Sequence, residues 1–314
     1  MTRVAALTGG TGFLGRHAIR ALHDEGWRIR MLTRRAPDLP ELADIEIELV
    51  PGDLSDATAL MRLCEGAEAI IHIAGVVKAA TRADFFRANA AGTASIAAAW
   101  RETAPDAHFT LISSMAAREP HLSHYAASKR EGERLLAGVG EGGDWRVLRP
   151  GAIYGAHDEE TLKVLKLANG PVQFMLNAAD ARVSLIDARD AARAIAALAG
   201  LDGNGETLEL TDARADGYRW DELATIAAGA LGRRPRLARI PAPFLKFIAR
   251  IGDLGASTFG SAEMLTSAKA REILHPDWSS SPDRRPATDI WRPEIPLDEG
   301  LAAMAVWARS AKRL

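Results

Sequence analysis

Thr8-Gly9-Gly10-Thr11-Gly12-Phe13-Leu14-Gly15, set between the apolar run Val4-Ala5-Ala6-Leu7 and a helical pattern, constrains the fold more than any other stretch. Glycines at this spacing between a strand and a helix let the backbone turn tightly at Gly9, let a ligand approach the main chain at Gly12, and let helix pack on strand at Gly15. The helix start that follows collects unpaired N–H groups and a partial positive charge, which suits a pyrophosphate. The implied site for a dinucleotide is Gly9, Thr11, Gly12, Phe13, Leu14 and Gly15. Glycine spacings arise by chance in a chain with 27 glycines, so the strand before and the helix after carry the specificity of this one.

The same alternation continues. Apolar runs at 28–33, 46–50, 69–73, 109–112 and 146–148 alternate with helical patterns beginning near Gly12, Asp56, Asn89 and Tyr125. This predicts an α/β chain with a doubly wound parallel sheet of Rossmann type, whose ligands bind beyond the carboxyl ends of the strands. Residues 1–150 read as the dinucleotide-binding domain, completed by about 179–200. The completing stretch reads as strand end plus helix over Val183–Leu198, and residues 151–178 and 201–314 read as a smaller substrate lobe. With 47% apolar residues the chain can bury a large core, and a net charge of −2 gives no general attraction to nucleic acid. The single cysteine, Cys64, excludes an intramolecular disulfide framework and a Cys-rich metal site, and no metal site is read here. No signal peptide or bilayer-spanning run is evident, which leads to the expectation of a cytoplasmic protein.

The second strand ends Met31-Leu32-Thr33-Arg34-Arg35, where a site preferring NAD usually carries a carboxylate. Two guanidiniums there suit the 2′-phosphate of NADP(H), with NAD(H) still accommodated, although a solvated surface turn has the same composition. Asp53, in Pro51-Gly52-Asp53-Leu54, stands where a carboxylate accepts from an adenine amino group or caps the next helix.

Tyr125-Ala126-Ala127-Ser128-Lys129 places a phenol and an ammonium on one helix face. Proton transfer to a carbonyl requires an acid drawn from a pKa of about 10 toward neutrality, and a neighbouring cation does this by favouring phenolate. Of the three tyrosines only Tyr125 has a lysine four residues on, since Tyr154 and Tyr218 are followed by Asp158 and Glu222. Taken alone the pair also fits an ordinary helix face. Upstream, Ser113 and Ser114 end the fifth strand in the crevice where a substrate oxygen would lie, or serve as turn formers.

These residues resemble the extended and atypical branch of the short-chain dehydrogenase/reductases over nearly the whole chain. Besides the glycine-rich turn and Tyr125/Lys129, the match includes His72-Ile73-Ala74-Gly75, Asn89-Ala90-Ala91-Gly92-Thr93, Arg149-Pro150-Gly151-Ala152-Ile153-Tyr154-Gly155, Val183-Ser184-Leu185-Ile186-Asp187 with Asp190, and Trp291-Arg292-Pro293 before Leu297-Asp298-Glu299-Gly300-Leu301. The resemblance implies an NAD(P)-dependent oxidoreductase in which Ser114, Tyr125 and Lys129 are catalytic. It also implies that Lys129 holds the nicotinamide ribose, that Pro150 and Ile153 line the nicotinamide and that Arg34 meets the 2′-phosphate; Arg35, Asp53, Leu54, Ala74 and Gly75 complete the candidate cofactor site.

Only ten residues separate Ser114 from Tyr125, fewer than is usual in sugar-modifying members, and no diphosphate-gripping basic pattern follows in the C-terminal part. Instead Phe244, Leu245, Phe247, Ile248 and Ile251 recur at helical spacing among Arg233, Arg234, Arg236, Arg239, Lys246 and Arg250. That stretch reads either as a lobe helix packed inward or as a lid over an apolar substrate that touches anionic lipid headgroups. The expected reaction is reduction of a ketone on an apolar, lipid-like molecule such as a 3-oxo sphingoid or ceramide-type lipid. A nucleotide-sugar epimerase or dehydratase, and a non-catalytic nucleotide-binding subunit, are the alternatives. His121 and His124 read as loop residues, His72 as structural, and His275-Pro276-Asp277-Trp278 as a turn with a buried indole or a pocket wall.

Overall fold

The computed structural model describes residues 3–170, 172–176, 181–234, 236–240 and 267–314. Six parallel strands alternate with helices in its first part: β1 (Val4–Thr8), α1 (Phe13–Asp24), β2 (Arg28–Thr33), β3 (Ile47–Pro51), α2 (Ala57–Cys64), β4 (Ala69–His72), α3 (Arg82–Phe86), α4 (Gly92–Thr103), β5 (His108–Ile112), α5 (His124–Val139) and β6 (Trp145–Pro150). The sheet order is β3-β2-β1-β4-β5-β6, with the strand Glu206–Leu210 added beside β6 as a seventh. Order reverses at β1/β4, so the carboxyl ends of these two strands flank the crevice in which such sheets bind ligands. Glu206–Leu210 falls within the stretch expected to belong to the substrate lobe, yet it extends this sheet.

Local chemistry accounts for these elements. Ala5 to Thr8 are wholly buried, as a strand covered on both faces requires. Helix α1 turns Leu14, Gly15, Ala18, Ile19 and Leu22 inward, a 3.6-residue stripe. Asp56 caps α2 by accepting from Ala59 N, Thr81 caps α3, and Ser123 caps α5 by accepting from Ala126 N at 2.9 Å. Trp100 is fully buried, with its ring 5.0 Å from Phe109 and its indole N–H donating to Ala107 O at 2.9 Å. Cys64 lies in the same core, and burial pushes its thiol up to about 12. One expected helix start moves: Asn89 does not open a helix but sits buried inside a π-turn, Arg87–Ala91, that joins α3 to α4. Such one-turn widenings recur at functional sites.

By packing, the chain divides into two units. The first comprises Met1–Pro150, Ala191–Leu210 and Arg284–Arg292; the second comprises Gly151–Asp190, Thr211–Asp283 and Pro293–Leu314. In the second unit Ala152–Tyr154 pairs in parallel with Leu185–Asp187, and Val172–Leu176 with Arg236–Ile240. Helices Glu159–Ala168, Trp220–Ala230 and Leu297–Ser310 contribute its core, where Tyr154, Leu162, Leu165, Leu301 and Met304 are buried together. Asp190 receives the N–H groups of Glu294 and Ile295 at 3.0 and 2.9 Å, fastening the chain before the last helix. His275–Trp278 proves to be more than a turn: Asp277–Trp278 is a short strand beside Arg182–Val183, and the half-buried indole donates to Glu272 O. The apolar positions from Phe244 to Ile251 lie outside the described residues. Among the described residues no helix is long and apolar enough to cross a membrane.

Candidate active site

The glycine-rich turn has the geometry its residues require. Gly9 has φ +77°, and a β-carbon there would stand 2.5 Å from Ala74 N; one at Gly15 would stand 2.1 Å from Gly9 O. The turn closes through Gly12 N–H donating to Gly9 O at 3.0 Å. The N-cap of α1 is Gly12, which offers no side-chain acceptor, and the first turn contains no acid. The leading N–H groups of α1 therefore meet an anion without a competing carboxylate, which fits a dinucleotide pyrophosphate. Thr11 and Gly12 are exposed and Phe13 is half-buried, while Leu14 and Gly15 are buried and act in packing.

Arg34 and Arg35 stand exposed after β2, on a turn in which Thr33 Oγ1 donates to Arg35 O at 2.5 Å. Asp53, after β3, is also exposed. Its carboxylate accepts from Ser55 Oγ and N at 2.6 and 2.8 Å, and these bonds, with help from the Arg34 charge, hold it below the usual carboxylate range. Asp53 is not a helix cap, because α2 starts four residues later, at Ala57, and Asp56 does the capping. Leu54 packs on the core, Ala74 is half-buried beside Gly9, and Gly75 is exposed after β4.

Tyr125, Lys129 and Glu133 follow at successive four-residue steps along α5, which puts them on one stripe. Lys129 is buried and donates from Nζ to Ile112 O at 2.8 Å, tying α5 to the end of β5. Burial draws its pKa down to about 8, against the opposing pull of Glu133. A β-carbon at Gly75 would lie 3.2 Å from that amine, so Lys129 reaches the loop after β4. Tyr125 is half-buried, its ring 6.4 Å from that of Phe85. Ser114, also half-buried, opens the short 3-10 turn Met115–Arg118, accepts from Ala116 N at 3.1 Å, and that turn packs on α5. The structure thus brings Ser114 and Lys129 to the carboxyl end of β5, with Tyr125 one helical turn before Lys129 on α5. Ser113 is no turn former: it is buried and donates to Glu133 Oε1 at 2.6 Å.

A directed hydrogen-bond chain supports this edge. Thr93 donates to Asn89 O at 2.7 Å, so its oxygen accepts from His72 Nε2 at 3.1 Å, which assigns the imidazole proton to Nε2. His72 Nδ1 then accepts from Thr8 at 2.6 Å, and the Thr8 oxygen accepts from Ala74 N at 3.3 Å. Full burial, with the nearby Lys129 charge adding to it, lowers His72 to about 3 and keeps it neutral. The Asn89 amide clamps both backbone groups of Val76, at 2.8 and 3.0 Å, and donates to Ser128 at 2.9 Å; Ser128 in turn donates to Tyr125 O at 2.8 Å. The loop after β4 and the helix bearing Tyr125 are therefore held by one side chain.

Pro150 is buried at the end of β6, and Ile153 lies in the second unit, opposite Ile186. His121 and His124 are exposed. Among the described residues, His108, Asp144 and Asp202 bring ligand-type atoms within 4.8 Å of one another. Asp144 already accepts from Gly203 N and Asn204 N and pairs with His108, and the buried Arg146 guanidinium donates to the backbone carbonyl of Asp202, so the Asp144 carboxylate is already engaged within the protein. The sequence reading passed over Glu133 altogether; its signal was the third place on the Tyr125–Lys129 stripe.

A Rossmann sheet with a glycine-rich anion site and a Tyr/Lys pair beside it defines a class of nicotinamide-dinucleotide enzymes. Residues 5–210 match the NAD dependent epimerase/dehydratase family, and the chain belongs to it. It is an NAD(P)-dependent enzyme of the extended short-chain dehydrogenase/reductase type. It is 42% identical over 309 residues to the ceramide reductase of Caulobacter vibrioides, covering 98% of this chain and 95% of that one. It is also 31% identical over 176 residues to the 4-hydroxy-2-methyl-3-oxo-4-farnesyl-3,4-dihydroquinoline-1-oxide ketoreductase of Stigmatella aurantiaca, covering 51% of this chain and 53% of the relative. Among solved structures, MoeE5 in complex with UDP-glucose and NAD superposes with a TM-score of 0.72 at 20% identity, covering 99% of each chain, which shows the shared fold.

Proposed function

We propose that the protein is an NADP(H)-dependent reductase that converts a ketone on an apolar, lipid-like molecule to a secondary alcohol, with a 3-oxo sphingoid or ceramide-type lipid as the leading candidate. The observation that carries the reaction is Lys129, buried and anchored to Ile112 O one helical turn from Tyr125. The 42% identity to a ceramide reductase over nearly the full chain supports the substrate class, and the farnesylated ketone named for the Stigmatella relative points the same way.

The bound nicotinamide supplies the hydride. The chain provides the rest. First-turn N–H groups of α1 hold the pyrophosphate, Arg34 and Arg35 meet the 2′-phosphate, and Asp53 accepts from the adenine amino group. Tyr125 donates its phenolic proton to the carbonyl oxygen, and Ser114 hydrogen-bonds the same oxygen. Lys129, as an ammonium, favours the phenolate that Tyr125 becomes and holds the nicotinamide ribose. General acid catalysis of this kind is typically worth roughly 10²–10⁴-fold.

Tyr125→Phe tests the assignment. The variant should bind NADPH as the parent does while losing roughly two to four orders of magnitude in turnover of long-chain ketones. Turnover within a few-fold of the parent would remove Tyr125 from the mechanism. Stabilisation against heat by UDP- or GDP-sugars but not by long-chain ketones would replace the reductase reading with an epimerase one.

A further inference from the structure

One stripe position on α5 remains unexplained by the proposed chemistry. Glu133 is buried, with 7% of its side chain exposed, and faces Arg149 on β6, whose side chain is 5% exposed. The pair is bidentate: Arg149 Nε and Nη2 donate to the two carboxylate oxygens at 2.8 and 2.6 Å. Ser113 donates to the same carboxylate from β5, and Arg130 adds a longer bond of 3.2 Å from the exposed side. Three elements that carry the site, β5, β6 and α5, thus meet at one carboxylate. Ser113 immediately precedes Ser114, and Lys129 lies one helical turn from Glu133.

We propose that Glu133 is a positioning residue for the reaction: its grip on Ser113 and Arg149 sets Ser114 against Tyr125, and its charge is the counterpart of the Lys129 ammonium. The proposal rests on the roles given above to Ser114, Tyr125 and Lys129. A buried ion pair is weak evidence for stability as such, since apolar replacements often serve equally well. What distinguishes this one is its third partner, which reaches the substrate-side serine through a single peptide unit. The titratable groups coupled to Lys129 are Glu133 on α5 and neutral His72 on β4; those around Glu133 are Lys129, Arg130 and Arg149, with the Ser113 hydroxyl beside them.

Two variants separate the two parts of the role. Ser113→Ala leaves every charge in place and should lower kcat for a long-chain methyl ketone about tenfold with KM within about twofold, because misplacing a reacting group costs rate more than binding. Glu133→Gln keeps the shape and removes the charge. Lysine-selective NMR on the cofactor-free protein should then show Lys129 losing its proton about one pH unit lower than in the parent. Should Glu133→Gln alone not fold, the double variant Glu133→Gln/Arg149→Met removes the buried guanidinium together with its carboxylate partner, leaves Lys129 without its counter-charge, and should show the same downward shift. The NMR readout needs no substrate, so it stands even if the ketone assignment fails. Unchanged Lys129 titration in the folded variant, or parent-like kcat in Ser113→Ala on a ketone that the parent reduces through Tyr125, overturns the proposal.

Discussion

Replacing His72 by Asn changes how the protein's stability depends on pH, by an amount that follows from the histidine's surroundings. Full burial holds His72 neutral down to about 3, whereas an unfolded chain protonates the same ring near 6.5. Between those values the unfolded state binds a proton that the folded state refuses. Stability contributed by the neutral ring is therefore complete above the unfolded value and is lost as pH falls toward the folded one, at about 1.4 kcal/mol per pH unit. Over the interval from about pH 6.5 to about pH 5 the loss is about 2 kcal/mol, a large part of a typical folding free energy. The Asp44 carboxyl, held down to about 2 chiefly by its hydrogen bond from Arg20, titrates below this window and does not confuse the measurement. Asn at position 72 still accepts from Thr8 but reaches Thr93 less well, so the variant should be less stable at neutral pH by roughly 1–3 kcal/mol. Its stability should nonetheless fall less steeply with acid. Urea unfolding followed by circular dichroism at closely spaced pH values reads both quantities. Equal slopes for parent and variant between about pH 5 and 6.5 would refute a neutral His72 in the folded state.

The glycine-rich turn and the cofactor choice yield two further expectations. Gly9→Ala forces a side chain into a backbone with φ +77° and to within 2.5 Å of Ala74 N, so dinucleotide binding followed by calorimetry should be lost or weakened more than tenfold even where the fold survives; parent-like affinity would contradict the geometry. Arg34→Ala should cost NADPH about 1.5–3 kcal/mol of binding and leave NADH nearly unchanged, and equal affinities of the parent for the two cofactors would contradict the 2′-phosphate assignment.

The parts of this molecule that could be read in advance are those where neighbours in sequence decide the outcome. Continuous apolar runs such as Ala69–His72 have no other use than a strand buried on both faces, and the Gly9–Gly15 spacing has few uses besides a phosphate-binding turn. The Tyr125/Lys129 pair was visible because a helix sets four residues side by side. Glu206–Leu210 was not visible as a strand, because Thr-Leu-Glu-Leu alternates as an exposed edge does, yet Glu209 is 1% exposed and stands against Arg149 on the neighbouring strand. Glu133 was missed for a related reason: charges four apart on a helix usually lie in water, and only the tertiary fold reveals that this carboxylate is buried against Arg149. Asn89 escaped as well, since a π-turn leaves no spacing signature and its amide works through Val76 and Ser128, which are distant in sequence.

The central claim is a hydride delivered to a lipid ketone with a proton from Tyr125. It is tested most directly by incubating the protein with NADPH carrying deuterium at the transferable position and a 3-oxo ceramide-type lipid, then weighing the product by mass spectrometry. The account predicts a secondary alcohol that has gained one deuterium on the former carbonyl carbon, formed by the parent and not by Tyr125→Phe. A lipid recovered unchanged, while a nucleotide sugar is isomerised without net consumption of NADPH, would contradict it.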